Sequence, residues 1–133
     1  MTDELSPNLE DLDRFAVEVR RVEKPWGYEL HYALTDRYCG KLLFVKAGEQ
    51  LSLQFHKVKD ETIYVHEGRI ELEIGDPGQQ VLDVEVVGPG HAFRLKPGMV
   101  HRWRALTDSL VLEVSTPELD DVVRLEDRYG RAG

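Results

Sequence analysis

Between Phe15 and Thr116, every alternating or apolar run is short and is closed by glycine or proline: Gly27, Gly40, Gly48, Gly68, Gly75, Pro77-Gly78, Gly88-Pro89-Gly90 and Pro97-Gly98. Punctuation at that spacing is the signature of an all-β chain, with short strands joined by turns. The clearest strand covers 69–74, where Ile70, Leu72 and Ile74 alternate with Arg69, Glu71 and Glu73. A period of two puts the first set on one face and the second on the other. Val81 to Val87 alternates similarly. Many short strands of this kind suit a double-sheet jelly roll, or double-stranded β-helix, whose barrel interior is a natural cavity for a small molecule.

The ends have a different character. Residues 1–15 are acidic, and Ser6-Pro7 followed by Leu9, Leu12 and Phe15 predicts a short one-sided helix packed on the body. Residues 16–133 are expected to form a single domain, with a charged C-terminal tail from Pro117 to Gly133 that forms a short helix or an ordered strap. A chain of 133 residues is long enough for one core and too short for a second. With 17 basic and 25 acidic residues the net charge is −8, which argues against nucleic acid or an anionic membrane as partner. The one cysteine, Cys39, rules out an internal disulfide. The N-terminus has no basic stretch followed by an apolar one, so a cytoplasmic protein is expected. Apolar runs such as Leu42 to Val45 fall far short of the roughly 20 residues that cross a bilayer.

Gly48, Gln54, His56, Glu61 and Gly68 stand in the frame G-x5-Q-x-H-x4-E-x6-G, and His101 follows in a second Gly-bounded segment. Gln54 and His56 are two apart, so on a strand they leave the same face. Glu61 opens the next strand beyond Lys57-Val58-Lys59-Asp60, and a hairpin there would return its carboxylate toward the pair. Two imidazoles, a carboxylate and an amide oxygen make a mixed shell with positions left open, as catalytic metal sites require. Zinc is the leading choice, and manganese, cobalt, nickel or iron also suit these donors. Calcium would take more oxygens and no imidazole. His31, His66 and His91 carry no such frame and are read as ordinary core or surface histidines.

These motifs resemble the cupin superfamily and, within it, the type II phosphomannose isomerases. The stretch from Gly48 to His56, with Glu61 and Gly68, is similar to the first cupin motif in the form where Gln54 replaces the first histidine. Gly90 to His101 is similar to the second, with Lys96 and Ala105 standing where proline and asparagine are usual. Lys24-Pro25-Trp26-Gly27-Tyr28-Glu29 and the closing run from Val123 to Arg131 resemble this subgroup more than cupins at large. The resemblance implies a divalent metal on Gln54, His56, Glu61 and His101, and a phosphorylated hexose as substrate. It also implies a homodimer. Lys59 and Thr62 stand where the subgroup has arginine and histidine. Lys59 keeps the charge without the bidentate fork, and Thr62 does not titrate near neutrality.

An aldose–ketose isomerase moves a proton between C1 and C2 and must stabilise negative charge on oxygen. Glu113 and Lys41 match residues of the family and, with Lys59, are the catalytic candidates. Strand parity leaves open whether Glu113 faces the interior or solvent. For the phosphate the candidates are Lys59, Arg94, Lys96, Arg102, Arg104 and Arg131, the last closing the family signature. Trp103, two after His101, shares its strand face and either stacks on a sugar or packs in the core. The leading reading is mannose 6-phosphate to fructose 6-phosphate isomerisation. The alternatives are a non-catalytic cupin that binds a sugar or other small ligand, and an iron-dependent cupin oxygenase.

Overall fold

The computed structural model describes residues 14–132, and the predicted helix falls almost wholly outside them. Eleven strands follow in order: β1 Arg20–Lys24, β2 Gly27–Leu34, β3 Cys39–Val45, β4 Leu53–Phe55, β5 Glu61–Glu67, β6 Ile70–Gly75, β7 Asp83–Val87, β8 Ala92–Leu95, β9 Val100–Ala105, β10 Ser109–Ser115 and β11 Val123–Glu126. They form two antiparallel sheets, β1-β2-β3-β10-β5-β8 and β11-β4-β9-β6-β7, the jelly-roll arrangement expected. Among the described residues there is no helix, and hence none long and apolar enough to cross a membrane.

The barrel interior is graded along its strands. Reading inward-facing positions in steps of two, β3 runs Lys41, Leu43, Val45; β5 runs Glu61, Ile63, Val65; and β9 runs His101, Trp103, Ala105. Glu113 and Val111 of β10 repeat the step. The stripes of β3, β5 and β9 each pass from a charged or polar residue through a large apolar one to a smaller, fully buried one. One end of the barrel is therefore a dry core, joined by Trp26, Ile70, Leu72 and Leu95, and the other a polar cavity. Trp26, Leu43, Ile63 and Trp103 belong to both.

Two expectations about the strands change. The residues between His56 and Glu61 do not make a hairpin, because β4 pairs with β9 and β11 while β5 pairs with β10 and β8. This connection crosses from one sheet to the other, so Glu61 meets the histidines across the barrel. The segment 81–87 enters the sheet only at Asp83, and its valines Val84 and Val86 are exposed. Register with β6 sets Asp83, Glu85 and Val87 opposite Ile74, Leu72 and Ile70, so on this edge strand the apolar parity points outward.

The tail is an ordered strap. It leaves β10 at Ser115, crosses the cavity mouth and adds β11 to β4, with Val123 opposite Phe55 and Arg124 opposite Gln54. Its far end is tied down by Tyr129, whose hydroxyl donates to Glu49, and by Arg128, which donates to the Gly48 carbonyl at 2.7 Å. Gly48 itself sits at φ +85°, in the left-handed region that favours glycine at this turn.

Candidate metal centre and its cavity

His56, Glu61 and His101 are buried, and their donor atoms lie within 4.8 Å of one another. His56 leaves the end of β4, Glu61 opens β5 and His101 sits on β9, so three connections converge. Each ring has its Nδ1 occupied: that of His56 meets the Asp121 carbonyl at 2.5 Å, and that of His101 the Met99 carbonyl at 3.1 Å. Carbonyl oxygens only accept, so both rings carry a proton on Nδ1, and in the neutral ring Nε2 is left as the lone pair.

Those lone pairs face a carboxylate oxygen. Glu61 Oε1 lies 3.3 Å from His56 Nε2 and 3.5 Å from His101 Nε2. His56 Nε2 is buried and makes no hydrogen bond. Three acceptors converging in a buried place repel one another unless a cation lies among them. A divalent metal fits that demand, and the donor set of two neutral imidazoles and a carboxylate suits a transition metal.

The electrostatics of His101 and Glu61 agree with a neutral and an anionic donor, while those of His56 favour a positive charge beside Glu61. Burial takes the His101 imidazole down to about 4, against the pull of Glu61. Burial pushes the Glu61 carboxyl up, but His56, Lys59 and His101 outweigh it and hold it well below the usual range. For His56 burial lowers the pKa and Glu61 more than offsets it.

Gln54 reaches the same place. Its amide nitrogen lies 3.4 Å from His101 Nε2, and its oxygen accepts from Ser52 Oγ at 2.6 Å. Turning the amide over would aim its oxygen at the centre while its nitrogen donates to the same hydroxyl, because serine both gives and accepts.

Beyond the centre a chain of buried charges crosses the wall. Lys59 Nζ lies 3.0 Å from Glu61 Oε2 and 3.1 Å from Glu113 Oε2. Lys41 Nζ lies 3.9 Å from the same Glu113 oxygen and 3.4 Å from Glu29 Oε1, which accepts from His31 at 2.8 Å. Glu113 therefore faces the interior, 5% exposed, which the sequence left open. Burial and the Glu61 charge push its carboxyl up, against Lys59 and Lys41. Burial works against the Lys59 ammonium, but Glu113 and Glu61 raise its pKa above the ordinary lysine value.

All these residues line one cavity of about 240 Å³. Lys24, Arg124 and Arg131 line it too. Burial lowers the Lys24 pKa, Glu29 opposes this, and the charges of Lys41, Arg131 and Arg124 lower it further. Arg124 Nε is buried without a partner. Arg131 is held by Asp127 through its Nε at 2.7 Å.

The remaining candidates lie elsewhere. Arg94 is on the outer surface in a two-pronged pair with Asp60, at 3.0 and 2.6 Å, so it does not reach the cavity as a substrate contact. Lys96, Arg102 and Arg104 do not line it either. Trp103, 2% exposed, is a core residue whose edge forms part of the cavity wall. Thr62 takes the opposite strand face from Glu61, in register with Arg94, so a proton carrier at that position would not face the cavity. Sequence reasoning missed Lys24, Arg124, Glu29 and His31. Period-two spacing from Glu29 to His31 was the available signal, but Leu30 between them left the inward parity undecided.

Comparison with known proteins agrees with this architecture. The Cupin domain family model matches residues 41–116. Mannose-1-phosphate guanylyltransferase of Escherichia coli is 33% identical over 117 residues, covering 84% of this chain and 23% of that protein. The xanthan biosynthesis protein XanB of Xanthomonas campestris is 32% identical over 117 residues, with 84% and 24% covered. The chain thus spans about a quarter of the length of these curated relatives. Among solved structures, Bacillus subtilis oxalate decarboxylase, studied for its Mn(II) centres, superposes with a TM-score of 0.68 at 21% identity, over 81% of this chain and 30% of that one. Two antiparallel sheets, a histidine–glutamate centre inside the barrel and the match over residues 41–116 lead to one conclusion: the chain belongs to the cupin domain family.

Proposed function

We propose that this protein is a metal-dependent aldose–ketose isomerase acting on a sugar phosphate, with mannose 6-phosphate to fructose 6-phosphate as the leading reaction. The observation that carries the reading is one cavity holding both a set of metal-seeking lone pairs and a group of cations, Lys24, Arg124 and Arg131, suited to a phosphate. The likeness to mannose-1-phosphate guanylyltransferase supports a mannose-derived substrate.

His56, His101 and Glu61, with Gln54 after its amide turns, would hold the metal. Zinc leads, with manganese, cobalt, nickel and iron suiting the same donors. When bound, it supplies positive charge opposite the substrate oxygen on which negative charge develops. Glu113 takes the proton from C2 of the aldose and returns it to C1, while the hydroxyl proton passes from O2 to O1. A carboxyl pushed up by burial is a stronger base than an ordinary glutamate, and that is what this step asks. Lys59 and Lys41, on either side of Glu113, hold its charge and offer N–H donors to the sugar hydroxyls. Arg131 and Arg124 take the phosphate, and the Trp103 edge bounds the sugar. Among the described residues the edge strand β1 of the larger sheet pairs on one side only, which supports a homodimer.

A coupled assay of fructose 6-phosphate release tests the reaction, on protein reloaded in turn with each of the five metals. The expected result is turnover that disappears in His56→Ala and His101→Ala. Stoichiometric metal binding without turnover would favour the second reading, a non-catalytic cupin binding a sugar phosphate. That reading has its own support in the Lys59 ammonium, which is tied up between two carboxylates.

A further inference from the structure

The strap between β10 and β11 is bound most tightly at one residue. The Asp121 carboxylate accepts from three consecutive backbone amides of the crossing that joins the sheets: Lys57 at 3.0 Å, Val58 at 2.7 Å and Lys59 at 2.8 Å. Its own carbonyl accepts from His56 Nδ1. One residue of the strap thus grips the turn that runs from His56 to Glu61 and also fixes which nitrogen of His56 carries its proton.

The need for such a grip lies in how short the ladder of β4 itself is, although the chain before it, from Gly48 to Leu51, is bonded to β9. β4 has three residues and meets β9 at a single pair, Gln54 with His101, while its other edge pairs with β11 of the strap. The crossing after it belongs to neither sheet. Two further bonds join it to the strap: the Asp60 amide donates to Thr116 Oγ1 at 3.1 Å and the Thr116 amide to the Asp60 carbonyl at 3.0 Å. The His56 carbonyl also accepts from the Gly98 amide at 2.7 Å, so the placement of His56 relative to Glu61 and His101 is set jointly from the turn before β9 and from the C-terminal strap.

We infer that Asp121 is the positioning residue of the metal centre, its carboxylate fixing the path from His56 to Glu61 and its carbonyl holding His56 in the tautomer whose Nε2 is free to bind a metal. The inference rests on the metal part of the proposed function and is independent of the isomerase part. Groups that orient a ligating histidine are worth about 10- to 100-fold in metal affinity. Asp121 itself touches neither the metal position nor the substrate.

Asp121→Asn tests this in the full chain with cobalt(II) as the probe. The amide keeps the shape, loses the charge and can no longer accept on both sides. Cobalt affinity by titration calorimetry is expected to fall at least about tenfold. In the metal-free variant, compared while it is still folded, the ¹⁵N shifts of His56 are expected to change from a single Nδ1–H tautomer toward a mixture, because without the carboxylate tie the strap no longer holds its carbonyl against the ring. Hydrogen exchange on the wild type reads the same tie without a substitution and covers the case in which the variant does not fold: the Lys57, Val58 and Lys59 amides are expected to be strongly protected. Binding within twofold of wild type, an unchanged His56 tautomer, or unprotected amides each overturn the inference. A wild type that takes no cobalt overturns the metal reading and this inference with it.

Discussion

Replacing Lys59 with methionine keeps most of the side-chain volume and removes an ammonium in hydrogen-bonding reach of both Glu61 and Glu113. Lys41, 3.9 Å from Glu113, is already shared with Glu29. Breaking a buried ion pair from one side costs about 3–5 kcal/mol. Glu113 can limit that cost by taking a proton. Keeping a carboxyl of ordinary pKa 4.5 protonated at pH 7 costs about 3.4 kcal/mol, from about 1.36 kcal/mol per pH unit. The expected loss is therefore about 3 kcal/mol. With an unfolding entropy of about 2.1 cal/mol/K per residue over 133 residues, this lowers Tm by about 11 °C.

The pH dependence follows from the direction of the shift. Glu113 is raised in the fold, so its protonated form is stable at low pH and stability is lost as pH rises above the unfolded value. The Lys59→Met deficit should then shrink to about 1 kcal/mol at pH 5. Adding Glu113→Gln should recover most of it at pH 7. Calorimetric melts of the metal-free single and double variants at the two pH values measure all of this. A Tm within about 3 °C of wild type at pH 7, or a deficit unchanged at pH 5, refutes the reasoning about the buried pair.

Removing either imidazole, in His56→Ala or His101→Ala, is expected to abolish stoichiometric metal binding, followed by equilibrium dialysis with zinc or manganese. Trp103→Ala empties the boundary between core and cavity and should cost about 3–5 kcal/mol in urea unfolding. The Asp127 carboxyl is held at about 2 by Arg131, and that of Asp121 at about 2 by the Lys59, Val58 and Lys57 amides. Both are lowered in the fold, so their contribution is complete above pH 4 and is lost as pH falls toward 2; Asp127→Asn should flatten the acid limb of a stability–pH curve. Lys24→Met and Arg124→Met should raise KM for the sugar phosphate about tenfold with kcat little changed, since they are assigned to binding and not to proton transfer.

The fold was legible because glycine and proline end nearly every strand and because period-two alternation survives in segments such as 69–74. The candidate centre was legible because Gln54 and His56 are two apart on a strand and Glu61 follows at a fixed interval. Three things were hidden. The crossing from His56 to Glu61 reads as a hairpin in sequence, and its backbone bonds to residues far along the chain, above all Asp121 more than 60 residues away, turn it between sheets. The inward parity of Glu113 depends on pairing with β3 and β5, a non-local fact. Lys24 and Arg124 come from strands at the edges of different sheets, and no local pattern announces that the strap brings them to one cavity.

The most direct test of the isomerase reading is proton exchange at the reacting carbons. Mannose 6-phosphate incubated in D₂O with metal-loaded protein and followed by ¹H NMR should give fructose 6-phosphate carrying deuterium at C1, with deuterium entering C2 of the mannose 6-phosphate as the reaction reverses. The metal-free protein and Glu113→Gln should leave the spectrum unchanged. Metal-loaded protein that binds the sugar phosphate yet neither converts it nor exchanges its C2 proton would contradict the account.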